Sequence, residues 1–136
     1  MHNTTLALNL FSSFFLCGLI WVIQIVHYPM FYHLEKNRFS KYIRLHGYRI
    51  SFIVIPVMII ELLTSIALVF LASQYFYFHI AGLVAVSIIW LTTFFVQVPL
   101  HNQLAQIKSK FIIRKLIRTN WIRTILWTLN LLLHTG

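Results

Sequence analysis

Glu61 is one of only two acids in the chain, and it stands in the middle of an apolar run. A carboxylate in hydrocarbon is costly unless paired or protonated, so an intramembrane acid is read first as a functional site. Its candidate partners are Arg123, Gln24, Thr93, Gln97 and Asn120. In the catalytic reading Glu61 is a base or proton relay, and Arg123 and Asn120 hold a developing oxyanion. The plainer reading is a structural Glu–Arg or Glu–Gln tie between helices.

Histidines form a second set. The stretch IVHYPMFYH ends one apolar run and QVPLHNQL ends another, and each puts a histidine beside a proline. His27, His46 and His101 come from three different elements and can converge at one end of the molecule. Imidazole suits zinc, copper, iron or haem, so the three are candidate metal ligands, although no HxxxH or CxxC spacing supports them and no particular cofactor is indicated. The plainer reading is that His and Tyr sit comfortably at a membrane interface while Pro29 and Pro99 end or kink helices. His46 and Glu61 are about 22 Å apart along a straight helix, too far to share a ligand.

A third set lies near the C-terminus. Asn120, Arg123, Thr124 and Trp127 recur at i, i+3, i+4 and i+7, the spacing of one helical face. A fixed cation, an amide and an indole on one face suit a flat ligand with a polar edge, such as a quinone or polycyclic phenol. With Trp121, Gln24, Thr93 and Gln97 they are the candidate substrate contacts. The plainer reading is a Trp at the interface belt and an Arg reaching to lipid phosphates.

The elements that must position these residues are apolar helices. The chain has 136 residues, enough for a single domain over 1–136; 60% are hydrophobic and 10% charged. Soluble domains carry about 25% charged residues. Four spanning helices are expected, at about 6–30, 50–71, 76–100 and 117–133, because crossing about 30 Å of hydrocarbon takes roughly 20 residues. The fold class is therefore all-α, an integral membrane four-helix up-down bundle.

All eleven Lys and Arg residues fall in 36–49 and 108–123. The positive-inside rule puts both stretches in the cytoplasm and both termini outside, with a bacterial inner membrane as the expected location. The net charge of +9 is then a topology signal and a contact for anionic lipid rather than for nucleic acid. The other expected partner is a hydrophobic small molecule; an oligomer is left open. Short amphipathic segments, Asn37 to Ile50 and Phe111 to Ile117, are expected to lie in the interface, the first hinged at Gly47. Cys17, the single cysteine, forms no intrachain disulfide and reads as a packing residue. Trp21 to Pro29 resembles Trp90 to Pro99, and IRLHGYR resembles IRTNWIR, as a duplicated helical hairpin would.

VPLHNQL, NWIRT and Trp127, with weaker support from HYPMF and Glu61, resemble a group of small, mostly uncharacterised four-helix bacterial membrane proteins distantly similar to the anthrone-oxygenase-like family. Pro99, Asn102, Trp121 and Arg123 carry the match; His101 and the HYP stretch do not belong to it. The resemblance implies a four-helix membrane fold that oxidises a hydrophobic aromatic without a bound organic cofactor. The leading expectation is thus a small membrane oxidoreductase or monooxygenase acting on a lipid-soluble aromatic or quinone-like substrate. The alternatives are a proton-coupled carrier or channel built on Glu61, and a non-catalytic membrane subunit.

Overall fold

The computed structural model describes residues 2–71 and 74–135, the last two by backbone only. Four long helices pack as a bundle: α1 (His2–His33), α2 (Lys36–Leu71), α3 (Phe76–Gln106) and α4 (Lys110–Thr135). The connections are short, so successive helices run antiparallel. Each packs against its neighbours in a ring, α1 on α2 and α4, and α3 on α2 and α4. Ser73 of the expected α2–α3 turn lies outside the described residues. Tyr75, in that turn, takes the left-handed conformation (φ 64°) just before α3 starts.

The first three helices are long and apolar enough to cross a membrane. α4 carries Lys110, Arg114, Lys115, Arg118 and Arg123 along its first half, which lowers its hydropathy. Helix ends overrun the expected ones, because the amphipathic segments are not separate. α2 is one helix of 36 residues that passes through both Gly47 and Pro56. At about 1.5 Å per residue it is about 54 Å long, against about 30 Å of hydrocarbon. The expected hinge at Gly47 is absent: no described glycine adopts positive φ, and Phe39 and Ile43 are buried in the bundle core, continuing α2's inward face. The segment before α4 likewise belongs to α4, with Ile113 and Leu116 fully buried.

α1 and α3 share an irregularity at the two stretches that resemble one another in sequence. Each opens into a π turn, Ile23–His27 and Thr93–Gln97. The Tyr28 N–H donates to the Ile23 carbonyl, and the Val98 N–H to the Thr93 carbonyl. Both turns end two residues before a proline, Pro29 or Pro99. Proline lacks an N–H and crowds the carbonyl four residues back, and a widened turn relieves both. The prolines therefore neither end the helices nor break them. The extra residue per turn shifts the inward face, so adjacent Ile23 and Gln24, and adjacent Thr92 and Thr93, are all buried.

The basic end is latched by Lys108. Its Nζ donates to the carbonyls of Tyr32 (3.2 Å), in the last turn of α1, and Leu34 (2.6 Å), just past it, and sits 5.6 Å from the Phe39 ring centroid. A cation on the final carbonyls of a helix meets the negative end of its dipole. Lys108 thus ties the α3–α4 connection to the α1–α2 connection.

Candidate functional site

Two polar centres lie inside the bundle, and the Trp127 indole stands between them. The first is built around Glu61, which is fully buried. One carboxylate oxygen accepts from the Ser13 hydroxyl at 2.8 Å, the other from the Trp127 indole N–H at 2.9 Å. One turn further along α2, the Asn9 side-chain N–H donates to Thr64 (2.9 Å) and Ser65 (3.0 Å) and, more weakly, to the Glu61 carbonyl (3.4 Å). α1, α2 and α4 are thereby joined by side-chain hydrogen bonds in a region where water is scarce. Sequence reasoning passed over Ser13 and Asn9. Their signal was present: Asn9, Ser12 and Ser13 are a polar stripe at helical spacing in an otherwise apolar run.

The expected Glu61–Arg123 ion pair does not form. The Arg123 guanidinium lies over the face of Trp127, 5.2 Å from the ring centroid, while the edge of the same ring serves Glu61. The other proposed partners of Glu61 are engaged elsewhere. Gln24 accepts from Asn120 (2.9 Å) and Thr124 (3.0 Å) and donates to the Ile117 carbonyl (3.0 Å). Gln97 donates to Thr119 at 2.9 Å. Thr93 bonds back to the Ile89 carbonyl within its own helix.

The second centre is built around Arg123, 6% exposed. Asn120, Arg123, Thr124 and Trp127 all face inward, as their spacing predicts. Arg123 donates to the Asn120 side-chain oxygen at 3.2 Å and stands beside the Tyr28 hydroxyl. Among the described residues no carboxylate pairs with it, and its buried Nε has no hydrogen-bond partner. A cavity of about 310 Å³ opens at this point. Most of its wall is apolar, including Ile23, Ile43, Val54 and Val98. Its polar groups are Arg123, Tyr28, Gln97, His101 and the candidate contact Thr93 inside, with Arg44, Tyr48, Ser51 and Asn102 towards the surface. The side-chain oxygen of Gln97 also has no partner. Gly47 belongs to this wall, and a Cβ added there would meet nothing within 4 Å. Its role is to leave room rather than to bend the chain.

Trp121 is placed elsewhere, on the α1–α4 flank, where it meets the Trp21 ring edge-on at 5.6 Å. Trp21 in turn donates to Thr128 at 3.0 Å, and Cys17 lies 3.6 Å from the same hydroxyl. This flank is packed where the α2–α3 flank is open.

The three histidines touch in pairs but form no cluster. His27 and His46 have ring centroids 5.5 Å apart, His46 and His101 6.5 Å. The Tyr28 hydroxyl is 3.1 Å from Nε2 of His101. Phe31 packs edge-on against both His46 and His101. Among the described residues no group of three His, Cys, Asp or Glu side chains is placed to hold a metal ion. The rings form a row of contacts with Tyr28 at one end.

Neither the known protein families, nor the curated proteins, nor the solved structures contain a match to this chain, which stands as a small four-helix protein with three long apolar helices.

Proposed function

We propose that this protein is a membrane-embedded binding bundle whose Arg123 cavity takes a lipid-soluble aromatic molecule with an oxygen-bearing edge, of the quinone or phenol kind, and that oxidation of this molecule is its activity. The observation that carries the reading is Arg123 itself. A buried guanidinium without a carboxylate is costly, and a cation–π contact and one amide offset only part of that. A ligand oxygen at its free Nε would complete the set, with Gln97 and Tyr28 as further polar contacts. The apolar wall suits a ring system, and about 310 Å³ is at the small end of the range for drug-sized ligands. The redox step rests on the resemblance to the anthrone-oxygenase-like family alone.

Glu61 has a different part in this reading. It does not line the cavity, and both its oxygens are engaged by α1 and α4. We assign it to holding the helices in register, with Arg123 as the substrate-facing charge. One observation favours the rival carrier reading: a fully buried carboxylate reached only by a hydroxyl and an indole. Proton flux in liposomes that vanishes in Glu61→Gln would support that rival.

We place all four helices in a bacterial inner membrane, with the two basic connections in the cytoplasm against anionic lipid. α4 is included because its buried face closes the bundle against α1 and α3. Reporter fusions near Lys110 should be cytoplasmic and a fusion at the C-terminus periplasmic; the reverse pattern would overturn the orientation. The binding reading is tested by titrating a naphthoquinone into the detergent-solubilised protein. Trp127 lies against Arg123, so its fluorescence should be quenched saturably in the native protein and not in Arg123→Gln. Equal quenching in both would overturn the assignment.

A further inference from the structure

The histidine row forms part of the wall between two hollows. On one side is the Arg123 cavity, lined by His101 and Tyr28. On the other is a shallower hollow of about 280 Å³, lined by His46 with Tyr42 and Arg49. The groups between them form a row: the Tyr28 hydroxyl is 3.1 Å from His101 Nε2, and the His101 and His46 rings are stacked at 6.5 Å and 23°. His27 flanks His46 from α1 at 5.5 Å. The second ring nitrogen of His101, Nδ1, is buried without a hydrogen-bond partner. Plain packing here would need only phenyl rings, as Phe31 already provides. Instead α1, α2 and α3 each supply a group that can take and give a proton. The charged groups around them, Arg123 beside Tyr28, Arg44 in the cavity wall and Arg49 in the outer hollow, are all cationic. They favour an anion in the cavity, and the same charges disfavour a lasting imidazolium at His101, so a proton taken there has to move on towards the outer hollow.

We infer that Tyr28 and His101 form a proton-accepting pair for a hydroxyl-bearing ligand in the Arg123 cavity, and that His46 passes the proton to the outer hollow. This rests on the binding reading above. In the step, the ligand O–H bond breaks and its electron pair stays on oxygen, against Arg123. The proton goes to the Tyr28 oxygen as the Tyr28 proton goes to Nε2 of His101. The products are a ligand oxyanion and an imidazolium, so charge and atoms balance. The His101 and His46 rings, 6.5 Å apart between centroids, need a water between them for the onward step.

The test uses 2-naphthol, a photoacid whose neutral and anionic forms emit in separate bands. Bound to the native protein it should show the naphtholate band on excitation. His101→Phe keeps ring shape and should retain the neutral band while losing the naphtholate band, with His101→Gln where it folds poorly; Tyr28→Phe also removes a ligand contact, so it is read as the naphtholate-to-neutral ratio of the bound fraction, which should fall. His46→Phe should still form naphtholate, with a shortened lifetime as the trapped proton returns. An undiminished naphtholate band in both the His101 and Tyr28 variants would overturn the pair, and a native lifetime in His46→Phe would overturn the onward step. Failure of 2-naphthol to bind the native protein, measured by equilibrium dialysis, would instead overturn the reading beneath.

Discussion

The two polar centres are divided by a single indole, and they are finished differently. Around Glu61 each carboxylate oxygen has a donor, and the residue does not line the Arg123 cavity. Arg123 is also buried, lacks an ionic partner among the described residues, keeps an unused donor, and faces about 310 Å³ of space. Polar groups that satisfy one another hold helices together. Polar groups left unsatisfied beside room for a molecule are where a ligand is expected. The acid in the middle of α2 is thus the obvious candidate and the less suitable one.

Removing the acid should break the first centre most severely. Glu61→Ala orphans the Ser13 hydroxyl and the Trp127 N–H, at a cost of about 3 kcal/mol in resistance to denaturing detergent. The protein that remains folded should still bind the naphthoquinone. Loss of binding at full stability would reverse the roles of the two centres.

Arg123→Gln should do the opposite. Binding should weaken at least about tenfold, or about 1.4 kcal/mol. Stability should change by less than about 1 kcal/mol, because the cation removed has no ionic partner to leave behind. A large loss of stability would show that Arg123 is a structural tie after all.

Space can be tested apart from charge. Gly47→Leu adds a side chain where a Cβ meets nothing within 4 Å and should fill part of the cavity. It should lower naphthoquinone affinity with little effect on unfolding, since leucine also has the higher helix propensity. Unchanged affinity would place the ligand elsewhere.

The smallest effect is expected at Trp121. It was a candidate ligand contact, yet it packs against Trp21 on the opposite flank. Trp121→Phe should leave affinity within about twofold of native, read in the same titration. A tenfold loss would move the site to the α1–α4 flank.

Much of the scaffold was legible because hydropathy and charge are additive along the chain. The four helices, their polar inward face on α4 and the grouping of basic residues at one end all follow from runs and spacings. The continuity of α2 was not legible. Gly47 looks like a hinge, and only tertiary burial of Phe39 and Ile43 shows why the helix continues. The π turns were hidden too, since Pro29 and Pro99 mark a disturbance but not its kind. The partner of Glu61 depended on which edge of Trp127 faces which charge. That is a matter of side-chain rotation, on which spacing is silent. The open space beside Arg123 depends likewise on how α2 and α3 meet, and no single stretch of sequence records it.

The central claim is that the Arg123 cavity is where a lipid-soluble oxygen-bearing aromatic binds. Photo-crosslinking tests it most directly. An azido-naphthoquinone is activated on the detergent-solubilised protein, and the adducts are located by peptide mass spectrometry. The account predicts adducts on peptides containing Tyr28, Gln97 or Arg123, competed by unmodified naphthoquinone and lost in Arg123→Gln and Gly47→Leu. Competed adducts confined to the Trp21–Trp121 flank, or adducts at the cavity that neither substitution diminishes, would contradict it.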